Sequence, residues 1–184
     1  MDSCGSYSLL RHFLSLEKSQ GNYQDLNLTA QIKKIITTFF YLGYLPLIPG
    51  TFGSLVALII YYFLKRSYYL LIPFHSLILI LGFLLAGKTA KLFNRQDPPQ
   101  IVIDEMNGMF ICFLGLPPGQ IGESPDMLIL FLGFIIFRIL DTLKPFPANR
   151  FHRQGGSLGI MGDDIVAAIY TNIILRFILS FLLK

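Results

Sequence analysis

Apolar residues gather in six stretches along this chain, roughly 35–48, 54–64, 69–87, 106–117, 127–140 and 165–183. The third and the last come close to the ~20 residues that an α-helix needs to cross a bilayer. The other four are shorter, so the pattern predicts helices that are tilted, re-entrant, or packed against longer neighbours. Breaks rich in Pro, Gly and polar residues separate the stretches, most clearly at Pro46–Ser54, Gln96–Pro99 and Lys144–Gly159. No fixed-period repeat or low-complexity tract is visible.

Composition turns this pattern into a class. At 184 residues the chain suits one domain, and 53% hydrophobic against 14% charged residues places it well to the apolar side of soluble proteins. A membrane protein is expected. Residues 1–32 read as a polar, cytosolic extension with a short helix around Leu9–Leu16 and without the continuous apolar core of a signal peptide. Residues 33–184 then form the domain proper. Cys4 and Cys112 make no framework or metal pair and are expected to be free thiols.

The formal charge of +4 is spread in small groups, Lys33-Lys34, Lys65-Arg66, Lys88/Lys91/Arg95 and Arg150/Arg153, each bordering an apolar stretch. That is the pattern of loops against an anionic membrane surface and not of a nucleic-acid stripe. The segments Lys88–Glu105 and Asp141–Asp164 carry basic residues, whereas Pro117–Asp126 has acids and no Lys or Arg. The positive-inside rule puts the first two in the cytoplasm and the third outside. The first part of the domain is ambiguous: its Pro/Gly break is either a membrane-depth re-entrant turn or a fold-back at the interface.

Acidic residues stand at the edges of these apolar segments as Asp104-Glu105, Asp141 and Asp163-Asp164. A carboxylate beside lipid or a buried core is costly unless it is paired or holds a cation. Asp104 and Glu105 follow a Pro98-Pro99 stop and stand at a helix start, where acids also complement the dipole. Arg138, Asp141 and Lys144, spaced by three, are expected on one helical face that Pro145 terminates, either as an ion-pair ladder or as a site. Asp163 and Asp164 follow the glycines Gly155, Gly156, Gly159 and Gly162 and are expected to open the final helix, with Asp163 as a potential N-cap. Two adjacent carboxylates repel, which favours a cation beside them.

A further motif, Pro49-Gly50-Thr51-Phe52-Gly53-Ser54, predicts a tight turn before an apolar helix, with Thr51 or Ser54 as a cap. Free N–H groups there could accept a phosphate oxygen, although no Gly-Lys-Ser/Thr P-loop follows. In the last stretch Asp164, Ala168, Asn172, Arg176 and Ser180 recur every four residues, a small and polar stripe expected to face the bundle. Arg176 lies too far from Asp164 to share its ligand and is expected to find a buried acceptor or to snorkel. The isolated His75 reads as a satisfied structural histidine.

Taken in order, the Pro49–Ser54 turn, Asp104-Glu105-x-x-Gly108, Phe137-Arg138-x-x-Asp141-x-x-Lys144-Pro145-x-Pro147 and Gly155-Gly156…Asp163-Asp164 resemble the bacterial phosphatidylglycerophosphatase A family over roughly residues 33–175. The resemblance implies an all-α fold, a polytopic helical membrane bundle with short or re-entrant apolar helices. It also implies a Mg²⁺-dependent phosphatase of the bacterial inner membrane acting on phosphatidylglycerophosphate, while the loop charges put all five of these acids on the cytoplasmic side. Ala168 and Gly162 depart from the residues expected there.

The residues themselves fit hydrolysis of a phosphomonoester. Asp104, Glu105, Asp141, Asp163 and Asp164 are the candidate ligands of Mg²⁺, a hard cation that takes oxygen donors. Asp104, Asp141 and Asp164 are the candidate catalytic residues. Arg138 and Lys144, with Thr51 and Ser54 in the turn, are the candidate phosphate-binding residues. An activated water is the expected nucleophile, with direct attack by a carboxylate as the alternative. Membrane lipid is the expected partner, with neither nucleic acid nor an obligate protein partner. The rival from another class is a small transporter or channel whose acids line a cation path; it leaves Arg138 and Lys144 unexplained.

Overall fold

The computed structural model describes residues 27–116 and 125–182. Helix α1 occupies 27–37, and a 3-10 turn, Leu42–Tyr44, leads into α2 (Pro49–Leu64). There follow α3 (Tyr68–Leu92), α4 (Ile103–Cys112), α5 (Pro125–Leu143), α6 (Ala148–Gln154) and α7 (Gly156–Leu182). No strand occurs among the described residues, so the all-helical expectation holds. The expected helix at Leu9–Leu16, Cys4 and residues 117–124 of the acidic loop lie outside the described residues.

Two helices, α3 and α7, are long and apolar enough to cross a membrane, in keeping with the third and last apolar stretches. Only 33% of the most apolar window of each is buried inside the molecule, whereas a soluble core helix would be mostly covered. Leu70, Leu77, Ile80 and Leu84 on α3, and Ile173 and Phe177 on α7, present bare apolar side chains. An exposed apolar surface of this extent is stable against lipid and unstable in water.

The centre of the bundle is α4, packed by α2, α3, α5 and α7. Met106, Met109, Phe110 and Phe113 are almost completely buried, and Phe110 meets Tyr61, Phe74 and His75 in ring contacts. Gly108 lets α5 come close, because a Cβ there would lie 2.4 Å from Cζ of Phe137. Where lipid replaces water, association relies on such close packing more than on apolar burial.

At 10 residues, α4 is only about 15 Å long and ends halfway along α7. Its last carbonyls would be orphaned there. Asn172 Nδ2 donates to the carbonyls of Ile111, Cys112 and Leu114 at 3.2, 2.9 and 3.0 Å. Arg176 donates to Leu114 O and Gly115 O at 3.1 and 2.9 Å, and Tyr61 Oη to Phe113 O at 3.3 Å. Arg176 therefore finds backbone acceptors, one of its two expected outcomes. The polar stripe faces the bundle at Asp164, Ala168 and Asn172 and drifts outward at Arg176 and Ser180.

Several local expectations change. The Pro/Gly break is the entry to α2, with Pro49 at the first helical position and Ile48 as the cap residue, so neither Thr51 nor Ser54 caps the helix. Ser54 is fully buried and its Oγ donates back to Gly50 O at 3.0 Å. The final helix starts at Gly156, two turns before Asp163 and Asp164, because only Gly155 and Gly156 take positive φ and the later glycines are helical. Asp163 is thus no N-cap. His75 stacks on Phe110 while its buried Nε2 lacks a partner, so it is not the satisfied histidine expected.

Candidate active site

One end of the bundle gathers the start of α2, the start of α4, the end of α5 and the early turns of α7. Asp104 and Glu105 occupy the first turn of α4, where the Pro98-Pro99 segment delivers the chain. Asp164 projects from α7 toward them. One carboxylate oxygen from each of Asp104, Glu105 and Asp164 falls within 4.8 Å of the others. Asp104 and Asp164 are buried, at 6% and 4% exposure, and Asp104 Oδ1 and Glu105 Oε2 have no hydrogen-bond partner.

The electrostatics follow from that crowding. Burial, then the charges of Glu105 and Asp164, holds the Asp104 carboxyl well above the usual carboxylate range. Burial raises Glu105 as well, with Arg138 working in the opposite direction. Oxygen-only donors that converge, repel one another and leave lone pairs unmet fit a hard divalent cation such as Mg²⁺.

A cavity of about 360 Å³ opens on this cluster, lined by Asp104, Glu105, Asp141, Lys144, Asp163 and Asp164 together with Asp97 and Thr142. Asp141 borders Asp164 and receives Arg138 Nη1 at 2.8 Å. Lys144 departs from the expected face. It sits just past the end of α5 with φ 44, which turns its side chain away from Asp141 to form an ion pair with Asp163, and Asp97 lies 3.9 Å away. The expected single ladder is thus two pairs, Arg138 with Asp141 and Lys144 with Asp163.

Thr51, Ser54 and Arg138, three of the four candidate phosphate-binding residues, do not line this cavity. What the turn contributes is Gly50. A Cβ on it would stand 2.0 Å from Glu105 Oε1 and 3.3 Å from Arg138 Nη2, so the bare backbone lets the carboxylate and the guanidinium close on the start of α2. No local sequence pattern signals that cradle or the rim position of Asp97, which in the sequence is simply the residue before Pro98-Pro99. Cys112 is a free, fully buried thiol on α4, away from the cavity lining, as expected of a structural cysteine.

The model of a known family, described as phosphatidylglycerophosphatase A, matches residues 35–179. The chain belongs to the phosphatidylglycerophosphatase A family. It is 38% identical over 149 residues to phosphatidylglycerophosphatase A of Escherichia coli, covering 78% of this chain and 81% of that protein. The Haemophilus influenzae protein of the same name is 35% identical over 129 residues, with 68% and 76% covered. A Bacteroides thetaiotaomicron protein named "Putative phosphatidylinositol-3-phosphatase" is 34% identical over 150 residues, with 77% and 89% covered. No solved structure matches the chain. The family match is in line with the resemblance read from the four motifs.

Proposed function

We propose that this protein is a Mg²⁺-dependent lipid phosphatase that hydrolyses phosphatidylglycerophosphate to phosphatidylglycerol and phosphate. The observation that carries this reading is the convergence of three buried carboxylates, two of their oxygens unpartnered, in a cavity that also holds Lys144. Asp104, Glu105 and Asp164 would hold the ion, with Asp141 and Asp163 completing the acidic wall. When bound, it supplies charge neutralisation at the phosphoryl oxygens and lowers the pKa of water.

The chain's own residues do the rest. Lys144, held by Asp163, presents an ammonium to the incoming phosphate at the cavity wall. Arg138, 23% exposed and anchored on Asp141, supports the Asp141 and Glu105 carboxylates from behind the cavity wall. Water attacks phosphorus opposite the glycerol oxygen; the P–O bond to glycerol breaks, and the leaving alkoxide is protonated to the diol. The floor of the site argues against a cation path through the bundle, since below Asp104 come the buried Met106, Met109 and Phe110 of α4 and Phe113 just past its end.

This reading places residues 33–184 as the catalytic domain with 1–32 as an extension, in the bacterial inner membrane with the cavity toward the cytoplasm. The Lys88/Lys91/Arg95 group at the end of α3 and Arg150/Arg153 on α6 lie on the segments that flank the cavity, in keeping with that orientation. Purified protein in mixed micelles should release phosphate from phosphatidylglycerophosphate with Mg²⁺, stop in excess chelator, and recover on adding Mg²⁺ back. Full turnover in chelator would overturn the metal role. Faster release from phosphatidylinositol 3-phosphate would move the substrate, not the chemistry.

A further inference from the structure

A second concave surface lies between α5, which carries Asp141 of the acidic cavity, and α2, whose Gly50 stands against the cavity's Glu105. Between α2 and α5 runs a groove of about 640 Å³ whose walls carry no charged side chain, with Leu55, Leu58 and Ile59 on one side and Phe131 and Phe134 on the other. Leu130, only 3% exposed, forms part of the floor, whereas Ile59 and Phe131 are 49% and 60% exposed along the walls.

The groove begins where the site ends. Phe134 lies one turn before Arg138 on α5, and Leu55 lies five residues beyond Gly50 on α2. Gly50 and Arg138 stand against each other beside Glu105, a residue of the cavity wall, as the 3.3 Å approach of Arg138 Nη2 to a Gly50 Cβ shows. A ligand with its anionic end at Lys144 and an apolar tail therefore meets groove walls that begin one turn along α5 from Arg138, the partner of the cavity's Asp141, and reach Met127 about 16 Å from Arg138. The exposed apolar residues of α3, Leu70, Leu77, Ile80 and Leu84, lie outside the groove lining.

We infer that the α2/α5 groove is an acyl-chain subsite, in which one fatty-acyl chain of the phospholipid substrate lies between Leu55, Leu58 and Ile59 and Phe131 and Phe134. The inference rests on the lipid phosphatase reading and deepens it. The subsite gives the enzyme grip on the chain as well as on the phosphate, so chain length acts on substrate capture, and a phosphate monoester without a tail is a poor substrate.

The test compares dipalmitoyl with dihexanoyl phosphatidylglycerophosphate in the same micelles, using wild-type protein, Ile59→Trp and Leu58→Trp to fill the groove, and Leu77→Trp on α3 as control. Wild type should favour the long chains through KM. The groove variants should cut the long-to-short ratio of kcat/KM about tenfold, and the control should leave that ratio unchanged. Equal losses on both substrates, no preference in wild type, or a groove variant whose only change is a shift in oligomeric state would overturn the subsite. For variants that do not fold, a phospholipid carrying a photoactivatable group in mid-chain, used with wild type, should label α2 and α5 peptides; label confined to α3 or α7 overturns it too. Failure of wild type to hydrolyse any lipid phosphate would overturn the functional reading instead, and the photolabel still reads the groove independently.

Discussion

The two ends of α4 treat polar atoms in opposite ways. At the C-terminal end, in the middle of the bundle, Asn172, Arg176 and Tyr61 satisfy the carbonyls from Ile111 to Gly115. At the N-terminal end, Asp104 Oδ1 and Glu105 Oε2 are buried without partners beside Asp164. Ten residues separate a fully accommodated backbone break from an uncompensated acid cluster. Lys144 pairs with Asp163, and Arg138 pairs with Asp141 while also countering Glu105, yet Asp104 Oδ1 and Glu105 Oε2 still lack hydrogen-bond partners. Polar needs met at one end and left unmet at the other are what the proposed cation site requires of this bundle.

The sharpest way to break this comparison is to neutralise the open end. Asp104→Asn and Asp164→Asn keep shape and remove charge, and each should lower turnover about 10³-fold or more while leaving the melting temperature unchanged or raised. Near-normal turnover in a folded variant would return the cluster to a structural role. Paired measurements of phosphate release and thermal unfolding decide it.

A milder disturbance tests the geometry. Gly50→Ala brings a methyl group to 2.0 Å from where Glu105 Oε1 now lies, so the carboxylate must swing away from the start of α2. Turnover should fall by about 10 to 100-fold, with a weaker apparent Mg²⁺ affinity. Unchanged Mg²⁺ dependence would mean that Glu105 is not held by this contact.

The satisfied end should answer in stability and not in chemistry. Asn172→Leu and Arg176→Leu each strand carbonyls at the end of α4 and should cost about 1 to 3 kcal/mol, read from denaturation in micelles. Turnover per folded molecule should change less than about threefold, because Arg176 stands some 18 Å along α7 from Asp164. Loss of turnover as deep as in an Asp164 variant, with folding intact, would erase the distinction between the two ends.

The apolar stretches determined the long helices, because a run of that length admits few other backbone solutions beside lipid. The acids and their basic neighbours were also legible, since Asp104, Glu105, Asp141, Asp163 and Asp164 are conspicuous against so apolar a background. Pairings were not. The spacing of Arg138, Asp141 and Lys144 reads as one face, and a single left-handed residue at the end of α5 sends Lys144 to Asp163 instead. Glycines after Gly156 read as a loop, yet neighbours packed against α7 keep them helical, overriding their weak local propensity. Sequence alone therefore determined which groups the protein would bring to the membrane and roughly where along the chain. Only the tertiary structure decided which acids converge unpaired, that Gly50 is the cradle for Glu105, and that α4 can end inside the bundle. Those outcomes depend on contacts between residues distant in sequence, whose distances no local pattern encodes.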